Sequence, residues 1–231
     1  MRKTGINMYL YAKMVLGRII DINNAAKYWD KDNIDLYLIN DSIIDWENCY
    51  INKKFRLNIM NNINNINITE LIKDAFTFML FTPRFCRELI QEAENLNDWR
   101  ISNNDNNPSQ DIHLVELDLD KQWDRILQLY ISPILIHLYS NHNVKSTHIV
   151  FIIKYSMDGQ RLLKEHHDTS IYSINITLNQ SFTGGGTYFV GQKYLYQDSI
   201  VGQAIMHPGK YIHTGAEITS GTRYVLIAFL K

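Results

Sequence analysis

Two cysteines and four prolines are few for 231 residues. Cys49 and Cys86 cannot make a disulfide framework; one bridge or two small buried thiols both remain open. No apolar run is long enough to cross a bilayer, and the N-terminus lacks an apolar segment followed by a small-residue cleavage site. Neither a transmembrane span nor a signal peptide is expected. Charge of one sign is also lacking: 23 Lys and Arg face 24 Asp and Glu, the net charge is −1, and no polybasic tract occurs. Nucleic acid is therefore not an expected partner. No internal repeat is evident. What is present is an ordinary globular composition, 45% hydrophobic, in a length that all-β barrels and sandwiches occupy as one unit.

Residues 1–45 mix helix-like segments without a chemical motif and read as an N-terminal extension or cap; residues 46–231 read as one domain. The Asn58–Asn67 run is turn-prone and predicts a surface loop or short helix, Phe76–Phe81 a strand, and Pro83 the opening of a helix over Arg84–Leu96. The Asn103–Pro108 tract predicts a loop, part of a lid. Between Leu119 and Asn141, Trp123, Ile126, Leu127, Tyr130, Ile134 and Leu138 recur at helical spacing, with a kink expected at Pro133. From His148 onward, short β-rich runs follow one another between glycine-containing turns. This order predicts a mainly β fold with supporting helices, a double-stranded β-helix or jelly roll.

The chemistry concentrates late in the chain. Glu165–Leu178 is rich in β-branched residues and free of proline and glycine, and predicts one strand. On a strand, His166 and Asp168 share a face while His167 points away. The Ala204–Thr214 run, broken at Pro208-Gly209, offers His213 as a third donor. Two imidazoles and a carboxylate make the facial triad of non-haem Fe(II) oxygenases, which leaves open positions opposite the protein ligands. An H-x-D pair alone is commonplace; the distal histidine and the arginine that follows give the pattern its weight. Arg223 stands in an apolar β-rich run, where a guanidinium can hold a carboxylate through two parallel hydrogen bonds, as 2-oxoglutarate would require. Read alone, Tyr155 and Asn175 are a core tyrosine and a strand-edge amide. His113 reads as core or pocket lining, and His137, His142 and His148 as exposed histidines rather than an accessory metal site. Two glycosylation sequons occur, at Asn67 and Asn175, the second in the site strand and so expected to be inert.

Beyond the triad, the stretch E-H-H-D-T-S-I-Y-S-I-N-I-T-L-N (Glu165–Asn179), the glycines Gly184–Gly186, M-H-P-G-K (Met206–Lys210) and G-T-R-Y (Gly221–Tyr224) resemble the C-terminal catalytic domain of procollagen lysyl hydroxylases. T-P-R-F-C-R-E-L-I (Thr82–Ile90), D-I-H (Asp111–His113) and K-Y (Lys154, Tyr155) resemble earlier landmarks of the same domain. The resemblance implies an Fe(II)/2-oxoglutarate dioxygenase fold, with His166, Asp168 and His213 as metal ligands, Arg223 as the carboxylate anchor, and Asn175 and Tyr155 as cosubstrate contacts. It implies Fe(II), 2-oxoglutarate and L-ascorbate as cofactors, and hydroxylation of lysine C5 in collagen-like X-Lys-Gly sequences. It also implies a homodimer, an endoplasmic reticulum lumen setting, and glycosyltransferase domains preceding this one in a longer polypeptide. Thr187 stands where animal members usually have a cysteine, so no disulfide is expected there. Abundant isoleucine, asparagine and tyrosine fit A/T-rich coding, as in a large DNA virus or a protist; a virus-encoded protein would place it in a host cell or virion instead.

Overall fold

The computed structural model describes residues 36–37, 43–101, 108–140 and 146–231. Most of the expected N-terminal extension, most of the Asn103–Pro108 loop, and His142 lie outside the described residues. The helices are α1 (Ile43–Tyr50), α2 (Lys53–Asn61), α3 (Pro83–Leu96), α4 (Asp120–Ile126) and α5 (Ser132–Tyr139). The strands are β1 (Thr69–Ile72), β2 (Ala75–Met79), β3 (Arg100–Ile101), β4 (Gln110–His113), β5 (Thr147–Ser156), β6 (Leu163–His166), β7 (Tyr172–Thr177), β8 (Phe182–Gly184), β9 (Thr187–Phe189), β10 (Tyr194–Tyr196), β11 (Gln203–Pro208), β12 (His213–Gly215) and β13 (Ile218–Leu230).

Along β7, Ser173, Asn175 and Thr177 alternate with Ile174 and Ile176, and all five are buried. Successive strand side chains point to opposite faces, so burial of both sets requires a cover on each side. One cover is helical: Ile174 and Ile176 join a core with Trp46, Tyr50, Phe85, Leu89 and Trp123. Ile112, Ile152, Leu226 and Ala228 turn to this same core, whereas Ile153, Tyr155 and Val225 belong to a separate cluster on the other face. The second cover is a smaller sheet. The large antiparallel sheet runs β1-β2-β11-β7-β13-β5-β4-β3 and the small one β10-β9-β12-β6. From Leu163 on, the chain alternates between them: β6 small, β7 large, β9 and β10 small, β11 large, β12 small, β13 large. That alternation is the double-stranded β-helix expected from the strand spacing.

Local signals explain the helices. Thr82 caps α3, its Oγ1 accepting the Phe85 N–H at 3.3 Å, and Pro83 sits where a missing N–H costs nothing. The expected kink precedes Pro133 as a π turn over Leu127–Ile131. Proline cannot donate to the carbonyl four residues back, and a wider turn accommodates that loss. The asparagine-rich segment divides into the end of α2 and a short 3₁₀ turn, Ile63–Asn65. Cys49 and Cys86 are both free thiols, and burial pushes Cys86 up to about 12. Asn67 is exposed and Asn175 buried, as the sequon reading requires. Among the described residues, no helix is long and apolar enough to cross a membrane.

One expectation is corrected. Glu165–Leu178 is not a single strand: β6 ends at His166 and β7 begins at Tyr172. The chain must cross between the two sheets there, so Asp168 lies in the segment that connects them, not two residues along a shared strand face. It is fixed by its N–H, which donates to the Gly209 carbonyl at 2.9 Å, while the Gly209 N–H donates to Ile171 at 2.9 Å.

Candidate active site

The two sequence-predicted histidines meet because β6 and β12 pair with His166 directly opposite His213. Their rings lie 4.4 Å apart between centroids. Each ring sets its Nδ1 against a backbone carbonyl, His166 to Lys164 at 2.7 Å and His213 to Tyr211 at 2.9 Å. An Nδ1–H bonded in this way leaves Nε2 as the metal-binding nitrogen, the outer-sphere arrangement that orients histidine ligands. Asp168 Oδ1 lies 3.5 Å from His166 Nε2 and 3.8 Å from His213 Nε2. Its other oxygen accepts the Ser173 hydroxyl, which is itself 2.8 Å from Ser170 Oγ. The three donors lie within 4.8 Å of one another, the single such cluster among the described residues. Burial holds His213 below the ordinary histidine pKa, which favours the neutral, ligating imidazole. This donor set, with one face open to a cavity, fits Fe(II).

The cavity between the sheets is lined by the triad, by Asn175 and Arg223, and by apolar residues that include Phe151 and Ile153. Arg223 and Tyr155 are opposite partners across β13 and β5, with the guanidinium 4.9 Å from the tyrosine ring centre. Arg223 is 2% exposed, and its Nε donates to Asp198 Oδ2. That bond uses Nε rather than the two terminal nitrogens. Asp198 Oδ1 accepts the Thr177 hydroxyl at 3.1 Å. Burial alone would lower the guanidinium pKa, but Asp198 and Tyr155 outweigh it and hold Arg223 above its ordinary value. Burial raises the Tyr155 hydroxyl, which therefore stays a donor at neutral pH. Asn175 Oδ1 is buried and finds no partner within the protein. A buried guanidinium, a phenol and an unpartnered amide facing one cavity suit a small diacid.

Two glycines make this packing possible. At Gly185, with φ +72°, a Cβ would fall 3.0 Å from Arg223 Cδ; at Gly215, two residues beyond His213, one would fall 2.5 Å from the Tyr155 hydroxyl.

The structure thus brings all six expected site residues to one cavity. His113 lines it as well, while His137 and His148 are exposed and outside it. Sequence reasoning missed Asp198, Ser173, Thr177 and His207. His207 is wholly buried, packs 5.0 Å from the His213 ring, and has no partner for Nε2. The polar alternation of Ser173, Asn175 and Thr177 was a usable signal; nothing near Asp198 in the sequence announces its role.

No family model matches the chain. It is 35% identical to a procollagen lysyl hydroxylase and glycosyltransferase of Acanthamoeba polyphaga mimivirus, covering 100% of this chain and 28% of that protein. The human procollagen-lysine,2-oxoglutarate 5-dioxygenase 2 is 31% identical over 99% of the chain and 32% of its own length. The Drosophila melanogaster procollagen-lysine,2-oxoglutarate 5-dioxygenase is 30% identical, covering 100% and 33%. Among solved structures, an oxidoreductase of the 2OG-Fe(II) oxygenase family from Burkholderia pseudomallei superposes with a TM-score of 0.53 at 12% identity, covering 78% of this chain and 92% of the other. A Pseudomonas putida prolyl-4-hydroxylase gives 0.51 at 9% identity, covering 77% and 98%. These two likenesses establish the jelly-roll fold. The chain spans about a third of the length of the curated relatives it matches, and the relatives that it matches over its whole length are procollagen lysyl hydroxylases.

Proposed function

We propose that this chain is an Fe(II)- and 2-oxoglutarate-dependent hydroxylase of lysine C5 in collagen-like X-Lys-Gly sequences, consuming O₂ and releasing succinate and CO₂. The observation that carries this reading is the His166–Asp168–His213 triad opening onto the same cavity as the buried Arg223. When bound, the metal would activate O₂ as the oxidant for C–H hydroxylation, with the 2-oxo acid supplying two electrons as it becomes succinate and CO₂, and ascorbate as the accompanying reductant. The protein's own work is positioning. His166 and His213 present Nε2 because their Nδ1 atoms are held by carbonyls, and Asp168 presents Oδ1 because Ser173 holds Oδ2. Arg223 offers its terminal nitrogens to the distal carboxylate, Tyr155 its hydroxyl and Asn175 its amide. The apolar walls from Phe151 to Val225 exclude water from the reacting side chain. Collagen-like chains carry glycine at every third position, so the target side chain enters from an extended backbone with little bulk beside it.

The test supplies Fe(II), 2-oxoglutarate, ascorbate and either a lysine- or a proline-containing collagen peptide. The expected result is succinate release with one oxygen gained on lysine. Oxygen gained on proline instead would move the assignment to prolyl hydroxylation, and absence of succinate with both peptides would overturn it.

A further inference from the structure

Among the residues lining the cavity, two carry carboxyl groups, Asp168 and Asp111. The first belongs to the triad; the second has no task in the chemistry above. Asp111 lies on β4 opposite Ile153 of β5, and its neighbour Ile112 turns into the helix-side core, so the alternation directs Asp111 and His113 toward the cavity. Its carboxylate is oriented on both oxygens: Oδ2 accepts the Ser109 hydroxyl, and Oδ1 lies 3.4 Å from His113 Nε2. The hydrogen bond to Asp111 holds the His113 pKa above its ordinary value. The wall beside it is apolar, formed by Ile149, Phe151, Ile153, Ile227 and Phe229. An apolar wall ending at a single oriented anion matches a side chain with a hydrocarbon stem and a cationic tip.

We propose that Asp111 is the specificity-determining carboxylate that receives the ε-ammonium of the target lysine, with His113 as the side-chain partner that the ammonium displaces. The assignment rests on the lysine-hydroxylase reading given above. It explains how a cavity whose other charged groups serve the metal and the diacid would prefer lysine to an uncharged side chain of the same length.

The experiment compares a collagen-like peptide containing lysine with the same peptide containing norleucine, which keeps the stem and removes the ammonium. A charge-assisted hydrogen bond predicts that the wild-type protein favours lysine by at least about tenfold in kcat/KM. Asp111→Asn is expected to collapse that preference to near unity, and Asp111→Glu, which keeps the charge, to retain most of it. A purely structural role would lower turnover of both peptides together and leave their ratio intact, which would overturn the assignment. Thermal melting of each variant reports folding, and Asp111→Ser serves as a second neutral variant if Asp111→Asn does not fold. Should the wild-type protein turn over no lysine peptide, the hydroxylase reading itself fails; a wild type that does, beside an Asp111→Asn variant that keeps its lysine preference, removes this assignment alone.

Discussion

The two ends of the cavity meet their charges in opposite ways. At the arginine end, Arg223 and Asp198 neutralise each other inside the protein, with side chains 2% and 3% exposed. At the metal end, three lone-pair donors crowd within 4.8 Å and face the cavity together, oriented by outer partners. The first arrangement has its charge balanced through Nε before any ligand arrives. The second becomes satisfied when a cation arrives, so binding free energy there is expressed directly as stability. One end therefore holds the fold, and the other waits on its ligand.

Breaking the metal end gives the largest expected effect. Asp168→Ala removes the carboxylate that lies between both imidazoles, and turnover should fall at least ~100-fold, given that loss of outer partners of metal ligands already costs ~10–100-fold. The same variant sharpens the contrast through stability. Metal at a hundred times its Kd should stabilise the wild type by about 2.7 kcal/mol and the variant not at all, read as urea midpoints. Asp198→Asn probes the other end and should show the reverse pattern. It should lose about 2 kcal/mol whether or not metal is present. That is less than the ~3–5 kcal/mol of deleting a buried ion-pair partner outright, because the amide oxygen can still accept the Nε–H. If metal rescued Asp198→Asn fully, the two ends would not be separable. Ser173→Ala sits between them, on β7 but bonded to Asp168; it should weaken metal affinity about tenfold with the 2-oxoglutarate KM little changed.

The difference between the ends also governs what could be read from sequence. Metal ligation needs particular side chains at short spacing, so His166 and Asp168 announced themselves, and His213 followed the Pro208-Gly209 turn. Arg223 was legible because a charge inside an apolar β-rich run demands an explanation. The geometry behind the H-x-D pair was misread, since the composition of Glu165–Leu178 does not reveal that the chain changes sheets within it. Asp198 was illegible for a different reason. It comes from the loop between β10 and β11, 25 residues before its partner, and an ion pair of that kind leaves no local periodicity. The requirement that a buried guanidinium find an anion was available, though not which anion would answer it. For the fold, β-rich runs separated by glycine turns were enough to predict the jelly roll, while the π turn before Pro133 registered only as a kink.

His207 gives the smallest effect and bears on the metal end from beneath. It is wholly buried beside Phe189 and His213, with Nδ1 3.1 Å from the Pro208 carbonyl and Nε2 without a partner. Protonation would put an N–H with no acceptor into the interior, so burial, with the neighbouring His213 acting in the same direction, lowers its pKa to about 4. Because the folded value lies below the unfolded one, the unfolded chain takes up the proton first as pH falls, and stability falls with it. Between pH 6.5 and 5.5 His207 alone should cost about 1 kcal/mol. Carboxylates and His213 also titrate in acid, so the informative quantity is the difference between wild type and His207→Asn, measured without metal as urea midpoints at both pH values. That difference should shrink by about 1 kcal/mol on acidification, whereas parallel curves would mean that His207 does not resist protonation and that the floor of the metal end is wetter than its packing implies.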